Sequence, residues 1–281
     1  MSPRIHRIAL QVALLLTAGA ATLGAQVSFT DVTADHGLDE FVYNGVGGHA
    51  LGACWIDFDN DDWPDLFITN GFNKSPHLYR NDLGGSGTFI NADDLLPAFP
   101  NVEMMSCAFA DYDNDGDDDI YIFTDNELEL LHNEDNPPDG PPNILLKNMW
   151  AENGGELPIG GILFEDVTAS AGLLDLPESP FGDYPGYRST TGGWLDYDRD
   201  GFTDLYVAHW QTAHGGEETN KDSLYRNNGD GTFTDVSVES GIQPGTDPTT
   251  YRPGLAFIAA HLDNDHWPDL YVINVHDESP Y

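Results

Sequence analysis

The chain has 281 residues, with 48 acidic and only 10 lysine or arginine side chains, and a formal net charge of −38 at pH 7. A surface this negative repels nucleic acid and anionic membrane faces, so we expect neither as a partner. Hydrophobic residues make up 40% of the chain and aromatic residues 11%, which is enough for a folded core and excludes an intrinsically disordered protein.

The N-terminus has the pattern of a signal peptide. Basic residues precede an apolar run from Ile8 to Leu16, and small residues follow up to Ala25. The run is too short to span a bilayer, and no later segment is apolar enough to do so. We therefore predict an exported protein, secreted, periplasmic or on the cell surface. Residues 1–25 would be the signal peptide and residues 26–281 the mature domain, with cleavage after Ala20 as the alternative.

Four nine-residue acidic loops come next. They read DFDNDDWPD (57–65), DYDNDGDDD (111–119), DYDRDGFTD (196–204) and HLDNDHWPD (261–269), and we call them loops one to four. Side-chain oxygens recur at positions 1, 3, 5 and 9, a spacing that wraps oxygen ligands around one Ca²⁺ ion, with a backbone carbonyl from position 7. The predicted ligands are Asp57, Asp59, Asp61, Trp63 and Asp65; Asp111, Asp113, Asp115, Asp117 and Asp119; Asp196, Asp198, Asp200, Phe202 and Asp204; and His261, Asp263, Asp265, Trp267 and Asp269.

Charge repulsion is the reason to expect a bound cation. Carboxylates crowded into one loop repel by about 1 kcal/mol or more per close pair, which a divalent ion converts into attraction. The alternative is a run of solvated surface aspartates. His261 stands where the other loops begin with aspartate, and imidazole is a poorer calcium ligand than carboxylate. We expect three strong calcium sites and a weaker fourth one.

Position 6 of each loop must turn sharply. Gly116 and Gly201 suit a positive φ angle, and Asp62 and His266 are among the residue types that tolerate one. Trp63 and Trp267 are each followed by proline, which we expect to fix the carbonyl at position 7.

The segments around the loops predict strands. Apolar, β-branched and aromatic residues follow each loop (LFITN, IYIFT, LYVAH, LYVIN), and short buried-strand patterns precede it (ACWI, CAFA, GGWL, FIAA). An EF-hand would need twelve residues, a final glutamate and flanking helices. Each unit is therefore predicted to be a β-hairpin with a metal in its turn.

The hairpin belongs to a longer repeat. LYRN or a variant begins at Leu78, Leu145 and Leu224, and a signature of the form F-x-D-V-T/S begins at Phe29, Phe164 and Phe233. Repeats of about 60 residues with about four strands favour a β-propeller over a β-solenoid. The predicted fold is all-β, a partial propeller of four-stranded blades with about four repeats present.

The repeat resembles the FG-GAP/VCBS repeat of calcium-binding β-propellers, and integrin α-subunit heads are built from similar repeats. The phrase FTDVT…GL is similar to bacterial secreted proteins of the ASPIC/UnbV and cartilage-acidic-protein type. The resemblance covers nearly everything from Phe29 onward. It implies that the calcium loops join the inner strands of each blade, opposite the ligand-binding face. It also implies that calcium is structural rather than catalytic.

Cys54 and Cys107 precede loops one and two by three and four residues. Export permits a disulfide. The unequal spacing, however, places the two side chains on opposite strand faces, so we expect two buried thiols rather than a bridge.

The end of the chain matches the interior of the first repeat. LYVIN is followed by VHDESPY, and the sequence stops where the next LYRN strand should begin. Closed propellers need complete blades. We expect a piece of a longer protein with at least two further blades, and the alternative is a complete four-bladed protein.

Candidate recognition residues lie between the repeats. His209, Trp210 and His214 fall in one variable segment, and a Pro/Gly/Asn-rich insertion runs from Asn133 to Gly161; the alternatives are a surface insertion and a disordered spacer. Trp55 and Trp194 are predicted blade-core residues, which leaves Trp150 and Trp210 as candidate sugar platforms. No histidine lies in a recognisable catalytic motif.

We therefore expect an extracellular binding or adhesion scaffold whose variable loops hold a protein or glycan ligand. A polysaccharide-active enzyme on the same fold is the alternative, although the scarcity of arginine argues against acidic sugars. A structural spacer of a larger surface protein is the third hypothesis.

Overall fold

The computed structural model describes residues 29–38, 52–70, 75–100, 102–125, 143–174, 189–209, 222–242, 254–263 and 265–274. The chain divides into two compact units, Met1–Val32 and Thr33–Tyr281. Residues 29–32 are the described part of the first unit and contain no helix or strand. The predicted signal peptide lies outside the described residues. The fold below is that of the second unit.

The described part of the second unit is built from β-strands, with two short 3₁₀ turns (Ala34–His36 and Asp93–Leu95) and no α-helix. In chain order the strands are β1 (Ala53–Ile56), β2 (Asp65–Ile68), β3 (His77–Asn81), β4 (Phe89–Asn91), β5 (Glu103–Ala110), β6 (Asp119–Asp125), β7 (Ile144–Asn148), β8 (Phe164–Asp166), β9 (Ser189–Leu195), β10 (Asp204–His209), β11 (Ser223–Asn227), β12 (Phe233–Asp235), β13 (Gly254–Ala260) and β14 (Asp269–Asn274).

The strands form antiparallel sheets in chain order. β1–β4, β5–β8 and β9–β12 make three four-stranded sheets, and β13 and β14 pair as a hairpin. We call these sheets one to three and the last hairpin. Each acidic loop joins the first two strands of its sheet, and the last residue of the loop begins the second strand, as in the pairs Ile56–Asp65 and Ala110–Asp119. The predicted hairpins, with an acidic loop as the turn, and the all-β fold are confirmed.

Hydrophobic cores lie between successive sheets, as the blades of a propeller require. Large buried side chains of sheets one and two form the first core, and those of sheets two and three form the second. In the third core, partly buried side chains of the last hairpin pack against buried side chains of sheet three. Examples are Phe58, Phe67, Ile120 and Leu146 in the first; Tyr121, Phe123, Val207 and Phe233 in the second; and Tyr206, Leu224, Phe257 and Val272 in the third. This face-to-face succession is a partial β-propeller.

The glycine pair of β9 explains how closely the sheets approach. A Cβ on Gly192 would lie 2.5 Å from the ring of Phe123 in sheet two, and a Cβ on Gly193 would lie 2.5 Å from the ring of Phe257 in the last hairpin. Successive strand residues point to opposite faces. Each glycine therefore admits an aromatic ring from one neighbouring sheet.

Cys54 and Cys107 form a disulfide, so the expectation of two buried thiols was wrong. The unequal spacing does place the two side chains on opposite faces of equivalent strands, but this does not prevent a bridge. Because sheets one and two stack face to face, a residue on one face of β1 meets a residue on the opposite face of the equivalent strand β5. A disulfide between stacked sheets therefore needs two cysteines on opposite faces of equivalent strands.

Two tryptophans in equivalent positions have different environments. Trp194 lies against Tyr112, Tyr121 and Phe233 in the second core, as predicted. Trp55 is 54% exposed and contacts Phe89 of its own sheet, so its assignment to a blade core was wrong. Trp55 follows Cys54 in the strand and therefore points away from sheet two.

Parts of the predicted recognition segments belong to the sheets. His209 is the last residue of β10 and only 1% exposed, so it does not lie in a variable loop. Residues 143–161 of the predicted insertion include β7, and the partly buried Trp150 packs against the first core. Its role as a sugar platform stays a prediction. Trp210, His214 and residues 133–142 lie outside the described residues.

No helix in the described part of the chain is long and apolar enough to cross a membrane.

Candidate metal sites

The aspartate at position 1 closes each of the first three loops. In loop one, the two carboxylate oxygens of Asp57 accept hydrogen bonds of 3.0 Å from the backbone N–H groups of Asp61 and Asp62. Asp111 and Asp196 do the same in loops two and three, at 3.0–3.2 Å. The carboxylate at position 5 accepts the N–H of position 7 in all four loops. The chain thus bends around its own carboxylates.

Two residues in each of the first three loops, and His266 in the described part of loop four, have a positive φ angle. At position 6, Asp62 has φ of 69° and His266 of 73°, and Gly116 and Gly201 are also positive, so this prediction is confirmed. Position 4 was missed: Asn60, Asn114 and Arg199 have φ of 53°, 61° and 62°. Asparagine tolerates this region well, and its recurrence at position 4 was the available sequence signal.

The aspartate at position 9 anchors the loop to its sheet. Asp65 accepts hydrogen bonds from the N–H groups of Phe58 and of Asn81 in β3, at 3.1 and 2.7 Å. Asp119 and Asp204 have equivalent partners. Burial, followed by repulsion from neighbouring carboxylates, raises the pKa of Asp65 to about 7, of Asp119 to about 9 and of Asp204 to about 6. The protein alone does not supply enough positive charge for these carboxylates.

Predicted ligand side chains do converge. Carboxylate oxygens lie within 4.8 Å of one another in three groups of predicted residues: Asp57, Asp59 and Asp61; Asp111, Asp113 and Asp115; and Asp196, Asp198 and Asp204. In loops one and two, the Oδ1 atoms of Asp59 and Asp113 are buried without a hydrogen-bond partner. A buried carboxylate oxygen that lacks a donor fits a metal ion. The first three loops therefore could each hold one.

The remaining predicted ligands are placed differently. Asp65, Asp119 and Asp200 lie in the same loops but not in these close groups, and no group of three acidic or histidine ligands forms among the described residues of loop four, which include Asp263, Asp265 and Asp269. The ligand roles of the carbonyls of Trp63, Asp117 and Phe202 stay predictions.

In loop four, His261 takes a role of its own. Its Nδ1 lies 2.7 Å from the carbonyl oxygen of Trp267. A carbonyl oxygen only accepts hydrogen bonds, so the imidazole Nδ1–H is the donor. That carbonyl is the predicted ligand at position 7. Two of the five predicted ligands of loop four are therefore joined to each other.

A basic residue from the third strand reaches the first two loops, and sequence reasoning missed it. Arg80 of β3 contacts Asp59 at 2.5 Å and Asp61 at 3.2 Å, and Lys147 of β7 contacts Asp113 and Asp115. Partial burial opposes charging of Lys147, but its ion pairs raise its pKa above the ordinary value. The recurrence of R or K in the third position of LYRN was the available signal.

The asparagine of LYRN was also missed. In sheet three, the Asn227 side chain is 1% exposed and donates to the carbonyl of Thr203 in its own loop at 3.1 Å and of Tyr112 in loop two at 2.7 Å. Asn148 connects sheet two to Phe58 of loop one in the same way, at 2.9 Å. Each of these asparagines therefore joins its own loop to the loop of the preceding sheet.

The loops also contact one another directly. The side chain of Asn60 donates to the carbonyl of Gly116 at 3.0 Å, and Asn114 donates to that of Gly201 at 3.4 Å. Between loops three and four, the Arg199 guanidinium lies 5.1 Å from the centre of the Trp267 ring. The four loops form one continuous row along one edge of the sheets.

An open cleft of about 750 Å³ separates loops three and four. Asp196, Asp200 and Arg199 line it from one side, and His261 and His266 from the other. It is continuous with the candidate site in loop three.

The repeat also identifies the family. The family model for the FG-GAP-like repeat matches residues 57–122 and 196–272, just over half of the 281 residues. This chain belongs to the FG-GAP-like repeat family. Each matched FG-GAP-like region begins at position 1 of an acidic loop and spans two successive loops. No curated protein matches the chain. The finer resemblance to ASPIC/UnbV-type proteins stays a prediction.

Proposed function

We propose that this FG-GAP-like protein is an exported, calcium-stabilised β-propeller that serves as an extracellular binding scaffold. The observation that carries the proposal is the repeated convergence of carboxylates, most of them at least partly buried, in the first loop of each four-stranded sheet. The groups are acidic side chains only, and such oxygen ligands suit a hard cation that accepts several carboxylates. Calcium meets this description better than magnesium, which retains water and demands a strict octahedron.

The surroundings of the loops favour a structural role for the ion. Position 1 closes the loop, position 9 ties it to the third strand, and the asparagine of LYRN ties it to the next sheet. A bound ion would neutralise carboxylates that are already part of the framework. We therefore propose three strong calcium sites and a weaker fourth one. In loop four, the His261 side chain hydrogen-bonds the Trp267 carbonyl, which is a predicted ligand of the ion.

Export is supported by two independent features. One is the signal-peptide pattern of residues 1–25. The other is the Cys54–Cys107 disulfide, because disulfides form and persist in oxidising compartments outside the cytosol.

A ligand-binding role is supported by the direction of the strands. β6 ends at Asp125 and β7 begins at Ile144, on the edge of sheet two opposite loop two. In sheet three, β10 likewise ends, and β11 begins, at the edge opposite loop three. The strand ends that border the variable segments 126–142 and 210–221 therefore lie at the edge away from the metal loops. A protein or glycan ligand bound there would be held by a rigid scaffold.

Calcium binding is tested by thermal melts of the mature chain, first in chelator and then with millimolar Ca²⁺ restored. A ligand that binds only the folded state raises the melting temperature by mass action. We expect a large, reversible rise. A folded chain with the same melting temperature in both conditions would contradict the proposal.

Ligand binding is tested by presenting glycan and extracellular-protein arrays to the mature chain and to Asp198→Ala. We expect the variant to lose one calcium ion and stability but to keep its array ligand. Loss of ligand binding without loss of stability would contradict the structural role of the metal. Release of soluble products from arrayed polysaccharides would favour the enzyme hypothesis instead.

A further inference from the structure

Loop two is the most acidic of the four loops. It contains six aspartates between residues 111 and 119, against five in loop one and four in loop three. Position 7 is Asp117, where the other loops have tryptophan or phenylalanine. Loop two therefore has a carboxylate at a position where the predicted calcium site uses only the backbone carbonyl.

The extra carboxylate belongs to a second cluster. Oxygens of Asp115, Asp117 and Glu152 lie within 4.8 Å of one another. Glu152 comes from the turn that follows β7, so the cluster joins two separate segments of sheet two. Asp115 is shared with the predicted calcium site of loop two, and Asp117 and Glu152 extend it outward.

Asp117 has an oxygen without a donor. The residue is 2% exposed; its Oδ2 accepts a hydrogen bond from the N–H of Ala151 at 2.8 Å, and its Oδ1 is buried with no hydrogen-bond partner. Oxygens of Asp115 and Glu152 are close neighbours of the Asp117 carboxylate, and an ionised carboxylate donates no proton to it. A buried carboxylate oxygen without a donor is suited to a cation.

Lys147 supplies only part of the positive charge. Its ammonium contacts Asp113, Asp115 at 3.1 Å and Glu152 at 2.5 Å, and it makes no ion pair with Asp117 among the described residues. One ammonium thus serves three carboxylates, and the buried Oδ1 of Asp117 stays outside its reach.

We propose that loop two binds a second divalent cation between Asp115, Asp117 and Glu152, beside the ion held by positions 1, 3, 5, 7 and 9. Position 7 serves both ions, with its backbone carbonyl toward the first and its carboxylate toward the second. The ligands are all oxygen, so the ion is a hard cation such as Ca²⁺. This inference rests on the proposed calcium binding and adds one site to it.

The test counts bound calcium per chain by equilibrium dialysis and atomic emission at millimolar Ca²⁺. The variants are Glu152→Gln, Asp117→Asn and their combination, all of which keep side-chain size and the backbone carbonyl at position 7. Glu156→Gln is the control, because Glu156 is an exposed acid of the same turn outside every acidic cluster that the described residues form.

We expect each single variant to bind one ion fewer than the wild type, the double variant also one fewer rather than two, and the control the same number. An unchanged count in Glu152→Gln and Asp117→Asn would overturn the second site and leave Lys147 as the cation of the cluster. A loss of two ions in the double variant would also overturn it. A wild-type chain that binds no calcium would instead contradict the proposed function itself.

Discussion

Single residues carry much of the connection between blades, and the asparagine of LYRN is the clearest case. Asn227 donates to two backbone carbonyls, and its Oδ1 accepts the N–H of Gly229 at 2.9 Å. The carbonyl of Tyr112 lies 115 residues earlier in the chain. One buried amide therefore holds together two loops and a turn.

Replacing Asn227 with alanine should destabilise the protein by roughly 2–4 kcal/mol. The change leaves buried backbone groups without partners, and each such loss costs about 1–3 kcal/mol. The neighbouring Asn228→Ala is the matched control: its side chain is exposed and its bonds are to the exposed hydroxyl groups of Thr232 and Thr234, so we expect less than about 1 kcal/mol. Urea unfolding of both variants measures the difference, and equal effects would contradict the role of Asn227.

His209 predicts a pH dependence at the residue scale. It is buried at the end of β10, with the hydroxyl groups of Ser189 and Ser223 at 3.1 and 3.3 Å from its ring nitrogens. Burial lowers the pKa of His209 to about 3. Below the pKa of the unfolded state, about 6.5, the unfolded chain therefore binds a proton that the folded chain excludes.

Acid should accordingly destabilise the wild type relative to His209→Asn. The free energy of unfolding of the wild type minus that of the variant should fall by about 1.4 kcal/mol per pH unit as the pH drops from about 6 toward 4. Taking the difference cancels the titration of other groups. A difference that does not vary with pH would show that His209 titrates normally in the folded protein.

At the scale of structural elements, the acidic loops should make the metal-free fold less stable as the pH rises. The folded-state pKa values of Asp65, Asp119 and Asp204 are raised above those of unfolded aspartate. The folded, metal-free chain therefore retains protons that the unfolded chain has lost, and its stability falls as pH rises from about 5 to about 8.

We expect the melting temperature in chelator to drop by several degrees across this interval. Saturating calcium should remove most of the drop, because the ion replaces the protons as the source of positive charge. Thermal melts at both pH values, with and without calcium, measure the effect. A metal-free chain that is more stable at pH 8 than at pH 5 would contradict it.

The elements were also where sequence reasoning worked best. The hairpins, the joining of the first two strands by each loop and the left-handed residue at position 6 were all predictable, because loop spacing and strand alternation are local properties. The Cys54–Cys107 bridge and the exposure of Trp55 were not. Alternation gives the face of a strand on which a residue lies, but not which sheet covers that face.

The predicted aspartates do converge within the loops, but the sequence did not show which basic side chains would contact them. Arg80 and Lys147 are more than 15 residues from the loop aspartates they contact, on a different strand. The motif LYRN was visible, yet its spacing alone did not indicate that its basic side chain would point at the loop. Tertiary packing supplies that information.

For the whole molecule, the disulfide joins the first strands of two stacked sheets, β1 and β5. Cys54 and Cys107 are 53 residues apart in the chain, and closing a loop of this length is expected to stabilise the fold by about 2–4 kcal/mol. The double variant Cys54→Ser/Cys107→Ser should lose this amount in urea unfolding with calcium present. Reduced wild-type protein should match the variant, and equal stabilities of oxidised wild type and variant would contradict the bridge.

The asparagine contacts also determine an order of assembly. Phe58 in loop one has its amide partner in Asn148, and Tyr112 in loop two has its partner in Asn227, always one sheet further along the chain. An exported chain that crosses the membrane N-terminus first delivers each loop before the residue that completes it. For such a chain we expect the first two blades to stay incomplete until their successors have emerged, so that assembly proceeds in one direction and each new blade locks the one before it.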